Sequence, residues 1–189
     1  MSTWAEIWST GYAEWSDLIR LLDWSDFLLA VTYLAAAWMC VVCAVLAHDE
    51  LGDDWGWRVA VVVLVVLAGN TLLKLDQLVL LTLRAWSHVD GWYEDRRLLQ
   101  YALVAVALCL GLGTLGWLRT RLSHLWPYCG QVVLGVCLLI VLMILRAVSF
   151  HETDALLQLD LMGLSMSNVL ELLGLGLVLN GTYTWRQMF

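Results

Sequence analysis

The chain has 189 residues, 61% of them hydrophobic and 14% charged, with a net charge of −7. A soluble domain is about half apolar and about a quarter charged. The excess here is gathered in long runs, which excludes an ordinary soluble domain and points to an all-α polytopic membrane protein, with the lipid bilayer as its first partner. The acidic balance excludes a nucleic-acid partner, which needs a basic surface.

The chain opens on "WAEIWSTGYAEWSDLIRLLDW". Trp4, Trp8, Tyr12, Trp15 and Leu22 recur at helical spacing on one face, and Glu6, Thr10, Glu14, Asp17 and Asp23 lie largely on the other. Residues 1–25 are therefore expected to form an amphipathic helix at the membrane interface, ahead of a single transmembrane helical bundle over 26–189. The polar face is acidic, unlike that of most lipid-binding helices, so packing on a protein neighbour is the rival expectation. Gly11 weakens the helix slightly. No basic start and short apolar core of a cleavable signal peptide is visible.

About five transmembrane spans are expected after it. They are Phe27 to Ala47, a second beginning near Arg58 with "VAVVVLVVLAG", Leu98 to Leu118, about Val132 to Val148 after the breaker "WPYCG", and Leu161 to Leu179. Each is long enough, or nearly so, to cross roughly 30 Å of hydrocarbon. The acids of "HDELGDD", between the first two spans, read as a solvated loop. Most tryptophans fall near span ends, as an aromatic belt does. Orientation is left undecided by charge. The loop "RTRLSHLWPY" favours the cytoplasm, while Arg20, Arg84, Arg96, Arg97 and Arg146 gather on the opposite side. The CxxC of Cys40 and Cys43 lies inside an apolar run and reads as small buried residues rather than a redox or zinc motif.

Lys74, the one lysine in the chain, lies in an apolar neighbourhood. Asn70, Lys74, Gln77, Leu81, Arg84 and His88 follow in alternating steps of four and three, which places them on one helical face. A charge deep in a span costs at least a few kcal/mol unless paired or wetted, so this face should point into the protein. From Trp57 to His88 such a helix would reach roughly 48 Å, and its last turns should leave the bilayer. Glu171, the one acid in the body of the fifth span, is the expected partner of Lys74, although rise counting puts the two about 10 Å apart in depth. Asp76 is the rival partner. A buried polar clasp, a proton or substrate path, and contact with another subunit are the three uses such a stripe has.

Two stretches repeat one pattern. "LRAWSHVD" ends one apolar run and "LRAVSFHETD" another, each followed by "LLQ" and then "GLG". This points to a parallel duplication of a two-span unit, as some membrane folds carry. It would bring Arg84, Ser87, His88 and Asp90 to the same membrane side as Arg146, Ser149, His151 and Asp154. Three chemistries fit those residue types. His88, Asp90, His151 and Asp154 are metal-ligand types without a tight spacing such as HExxH. His88 and His151 are a haem-ligand pair if they face each other. Arg84 and Arg146 could grip an anionic headgroup. Pairing of these arginines and acids to cap helix ends is the plainer alternative. Cofactor and metal stay unknown at this level.

"GWYEDRRLLQ" matches GWYxxRRxxQ through Gly91, Trp92, Tyr93, Arg96, Arg97 and Gln100, and "RAVSFHETD" matches RAxSFHxxD through Arg146, Ala147, Ser149, Phe150, His151 and Asp154. Residues 58–155 thus resemble a family of small bacterial polytopic inner-membrane proteins. That family also carries a Leu-Asp pair late in its second span, like Leu75 and Asp76. Its basic and amide residues around that pair have no clear counterpart here. The resemblance implies a multi-pass protein of the bacterial inner membrane whose motif residues form one site. It implies no reaction and no ligand.

The functional expectation is a non-enzymatic membrane subunit that docks into or helps assemble a larger membrane complex, with a membrane-protein partner or a second copy of itself. Small size, the tryptophan-rich acidic helix and the lack of a compact catalytic motif favour it. The alternative is a membrane-embedded binding protein or enzyme acting on a lipid, anionic ligand, metal or haem at the duplicated Arg/Ser/His/Asp cluster.

Overall fold

The computed structural model describes residues 4–51, 54–89, 126–148, 160–161 and 164–187, with scattered positions between 105 and 120. Among the described residues the chain is helical apart from one hairpin of two two-residue strands. Its elements are α1 (Trp4–Arg20), α2 (Trp24–Leu51), α3 (Trp55–Leu73), α4 (Leu75–Val89), α5 (Trp126–Val148), β1 (Asp160–Leu161), β2 (Leu164–Ser165) and α6 (Met166–Arg186). Among the described residues, three helices are long and apolar enough to cross a membrane: α2, α3 and α5. Most of the expected third span, Leu98 to Leu118, lies outside the described residues.

Among the described residues, four helices pack around one core. α2 lies against α3 and α6, and α5 lies against α6 and α3. The face of α2 turned inward is made of small side chains. Ala36, Ala37, Cys40, Cys43, Ala44 and Ala47 are all buried there, at helical spacing. Small residues let neighbouring backbones approach, which is how apolar helices gain contact where lipid competes for every methyl group. Cys40 and Cys43 are thus packing residues, as expected, and all five cysteines are free thiols. Outward positions such as Val31, Val62 and Val66 are exposed and apolar, the pattern of a surface made for lipid.

The α5–α6 contact depends on missing side chains. A Cβ on Gly135 would lie 2.6 Å from the carbonyl oxygen of Gly174, and a Cβ on Gly181 would lie 2.6 Å from Val132 Cγ2. At the same end of the bundle, Trp57 and Trp185 pack with ring centroids 5.3 Å apart, and Asn180 Nδ2 donates to Gln131 Oε1 at 2.8 Å.

Two boundaries differ from expectation. "WPYCG" is not a breaker but the first turn of α5. Pro127 sits where a helix has no use for an N–H, and its fixed φ suits helix entry. The last helix runs Met166–Arg186 instead of Leu161 to Leu179, because Asp160–Leu161 pairs with Leu164–Ser165 and Ser165 then caps the helix, its hydroxyl accepting from Asn168 N–H.

The larger correction concerns the second span. It is not one helix from Trp57 to His88. Lys74 takes a left-handed conformation, φ 48° and ψ 43°, and divides it into α3 and α4. Such a residue ends a helix, and it is uncommon for any side chain but glycine. The carbonyl of Lys74 then starts α4 by accepting from Gln77 and Leu78 N–H, each at 3.1 Å. Its neighbour Leu73 offers an orphan carbonyl to Trp15, whose Nε1 donates at 2.8 Å.

α1 packs antiparallel on α4. Trp4 stacks near Trp86 with ring centroids 5.4 Å apart, while a Cβ on Gly11 would meet Thr82 Oγ1 at 3.1 Å. The glycine that costs helix propensity is the point where the two backbones meet. The protein neighbour of α1 therefore includes its own chain. Trp4, Trp8 and Tyr12 stay more than half exposed beyond that contact.

Candidate polar pocket at one end of the bundle

The start of α2, the end of α3, the start of α4, the end of α5 and the start of α6 meet at one end of the bundle. Between them lies a cavity of about 420 Å³. Its wall carries Asp26, Lys74, Asp76 and Arg146 with amides and hydroxyls from Asn70, Thr71, Gln77, Ser165, Ser167 and Asn168. Leu18, Leu21 and Leu29 add an apolar edge. A few convergent polar groups beside apolar side chains are what a small-molecule site requires, and the volume falls within the usual range of such sites.

Each polar group has a local reason for being there. Asp26 helps open α2: its Oδ2 accepts from Asp23 N–H at 3.2 Å, while Asp23 Oδ1 accepts from Trp24 N–H at 2.7 Å. The other oxygen of Asp26, Oδ1, accepts from Lys74 Nζ at 2.6 Å. Asp26 and Lys74 are both partly buried. Asn70, one turn before the break, reaches across it, and its Oδ1 accepts from Asp76 N–H at 3.0 Å. One side chain of α3 thereby satisfies an orphan N–H at the start of α4.

Arg146 ends α5, where a cation complements the helix dipole. Its Nη1 donates to Glu171 Oε1 at 2.5 Å, its Nε to Ser167 Oγ at 2.7 Å, and its Nη2 to the same hydroxyl. Ser167 and Glu171 stand one turn apart on α6, so a single guanidinium clamps one face of that helix. Glu171 is 4% exposed, and its Oε2 has no hydrogen-bond partner among the described residues. It is also within electrostatic reach of Lys74, Asp76 and Asp26, so the five charged groups form one cluster.

The expected pairing of Lys74 with Glu171 is therefore wrong, and so is its rival with Asp76. Lys74 binds Asp26, which starts α2 at the level where α3 ends. Glu171 binds Arg146, which ends α5 at the level where α6 starts. Asn70, Lys74, Asp76 and Gln77 do come together, but around a helix break rather than along one face. Sequence reasoning missed Asp26, Thr71, Ser165 and Asn168, which carried no signal above ordinary polar residues at span ends.

Of the polar and charged residues of the duplicated motifs, Arg146 alone has a described side chain. Arg84 and His88 lie on α4, but their side chains, together with Asp90, Tyr93, Arg96, Arg97, Ser149, His151 and Asp154, fall outside the described residues. Arg146 is already engaged by Glu171 and Ser167, so its grip on an anionic headgroup would require breaking that clamp.

Fold and pocket together define an all-helical membrane protein with a polar cavity at one end of its bundle. Comparison with protein-family models, with curated proteins and with solved structures gave no match.

Proposed function

We propose that the chain is a non-enzymatic, membrane-embedded binding protein whose site is the polar cavity between α2, α3, α4, α5 and α6. One observation carries this reading. Asp76 is 7% exposed, lines the cavity, and its carboxylate makes no hydrogen bond or ion pair among the described residues. A buried charge without a partner is costly, and a fold that uses every neighbouring charge for pairing leaves this one for something else. We further read the chain as a five-span protein of the bacterial inner membrane. On this reading α6 and the 98–118 run join α2, α3 and α5 as spans, and α1 lies at the interface. The parallel duplication of a two-span unit is supported by the repeated "LRAWSH" and "LRAVSFH" patterns.

A second reading is favoured by a different observation. Trp4, Trp8 and Tyr12 are exposed on a helix that also exposes Glu14 and Asp17. An aromatic and acidic surface suits a membrane-protein partner or a second copy better than anionic lipid. The chain would then be a subunit that docks into or helps assemble a larger complex.

Native mass spectrometry of the protein purified in mild detergent separates the two. The binding reading expects one small molecule per chain on the wild type, lost from Gln77→Trp, in which the new ring fills the cavity. A chain that carries no small molecule but keeps fixed protein partners would overturn it in favour of the subunit. A visible spectrum on the same sample tests the haem alternative at His88 and His151.

A further inference from the structure

We infer that Asp76 makes the cavity a site for a ligand bearing an ammonium group, either the head of an aminophospholipid or a free organic amine. The inference rests on the binding reading above and names the chemistry of that same site.

The charges decide the sign of the ligand. Two cations border the cluster, and each has its own carboxylate: Lys74 with Asp26 at 2.6 Å, and Arg146 with Glu171 at 2.5 Å. An anionic ligand would have to displace one of these acids, leaving a buried carboxylate unpaired. A cation displaces nothing. It meets the one carboxylate on the wall that has no partner among the described residues, and that carboxylate is more than nine-tenths buried.

Size decides the kind of cation. About 420 Å³ is many times the roughly 30 Å³ that one water occupies in the liquid. The space fits a group of several heavy atoms rather than a bare ion. An ammonium carries three donors. Asp76 can accept one or two of them, and the side chains of Thr71 and Gln77 stand on the same wall as further acceptors. Leu18, Leu21 and Leu29 give the rest of the molecule an apolar edge, as an acyl chain or alkyl tail needs.

Isothermal titration of the full-length chain in a non-ionic detergent tests this with three probes: short-chain phosphatidylethanolamine, short-chain phosphatidylglycerol and ethanolamine hydrochloride. The ethanolamine-headed lipid, the free amine or both should bind saturably, and phosphatidylglycerol should neither bind comparably nor compete. Binding by the lipid alone assigns the ligand to the membrane, and effective competition by ethanolamine assigns it to the soluble pool. Asp76→Asn should weaken binding roughly tenfold or more, the loss of one charge-assisted contact, and Asp76→Glu should retain part of it. Circular dichroism and gel filtration establish that the variants fold, and if Asp76→Asn does not, the wild-type contrast between the two lipids decides. Phosphatidylglycerol binding as tightly as phosphatidylethanolamine, no binding of either amine, or an Asp76→Asn variant that folds and binds unchanged would each overturn the inference. If phosphatidylglycerol binds and Gln77→Trp blocks it, the binding reading survives and the ammonium assignment fails. If Gln77→Trp changes nothing for any probe, both fail.

Discussion

Asn70 Oδ1 accepts the backbone N–H of Asp76 at 3.0 Å, across the one-residue helix break at Lys74. The break would otherwise bury an orphan donor at the start of α4, since both residues are almost fully enclosed. Asn70→Leu removes the acceptor and leaves that N–H unpaired. The expected cost is about 1–3 kcal/mol, read as a lowered melting temperature in detergent. Asn70→Asp keeps an acceptor oxygen and should lose less. Equal loss in both variants would mean that the hydrogen bond does not hold the break.

Lys74 itself allows a backbone test. A side chain in the left-handed region costs about 1–2 kcal/mol relative to glycine. Lys74→Ala and Lys74→Gly both lose the pair with Asp26, so their difference isolates the backbone. Lys74→Gly should be the more stable of the two by about 1 kcal/mol. If the alanine variant is the more stable, α3 and α4 are continuous at this point.

This break also shows what the sequence could and could not reveal. The apolar runs of α2, α3 and α5 read directly as spans, because a bilayer demands unbroken hydrophobic length and little else satisfies it. The break at Lys74 carried no such mark. Neither glycine nor proline stands there, and lysine is a good helix former. Reading on through it set Asn70, Lys74 and Gln77 on one continuous helical face, whereas they stand around a break. The Lys74–Glu171 pairing failed for a related reason. Depth counted along single helices already separated the two, and Asp26, at the start of the first span, carries nothing in the sequence that marks it as a partner of Lys74. The start of α6 was misplaced by five residues, because a two-residue hairpin has no periodicity of its own.

Arg146 and Glu171 should behave as a unit. Removing the cation alone, as in Arg146→Met, leaves a buried carboxylate without its main partner and should cost about 3–5 kcal/mol. Joint replacement, Arg146→Met with Glu171→Leu, should recover most of that loss, because two apolar side chains then replace two desolvated charges. A double-mutant cycle in thermal stability measures the coupling. Additive effects would show that the pair is not formed.

The glycine contact between α5 and α6 gives a steric prediction with an internal control. Gly135→Ala places a methyl group against the carbonyl of Gly174, which cannot move aside as a side chain would. A loss of about 1–3 kcal/mol is expected, from overpacking. Gly176, on the open side of α6, meets nothing within 4 Å, and Gly176→Ala should be neutral or stabilising. Similar effects at both positions would contradict the packing.

The central claim is that Asp76 faces a ligand rather than a charge of its own chain. A crystal structure of the full chain grown in a lipid phase containing phosphatidylethanolamine tests it most directly. The account predicts density for a bound molecule in the cavity, with an ammonium nitrogen within hydrogen-bond distance of the Asp76 carboxylate and the Lys74–Asp26 and Arg146–Glu171 pairs intact. A basic side chain of the same chain paired with Asp76, or a cavity filled by protein, would contradict it.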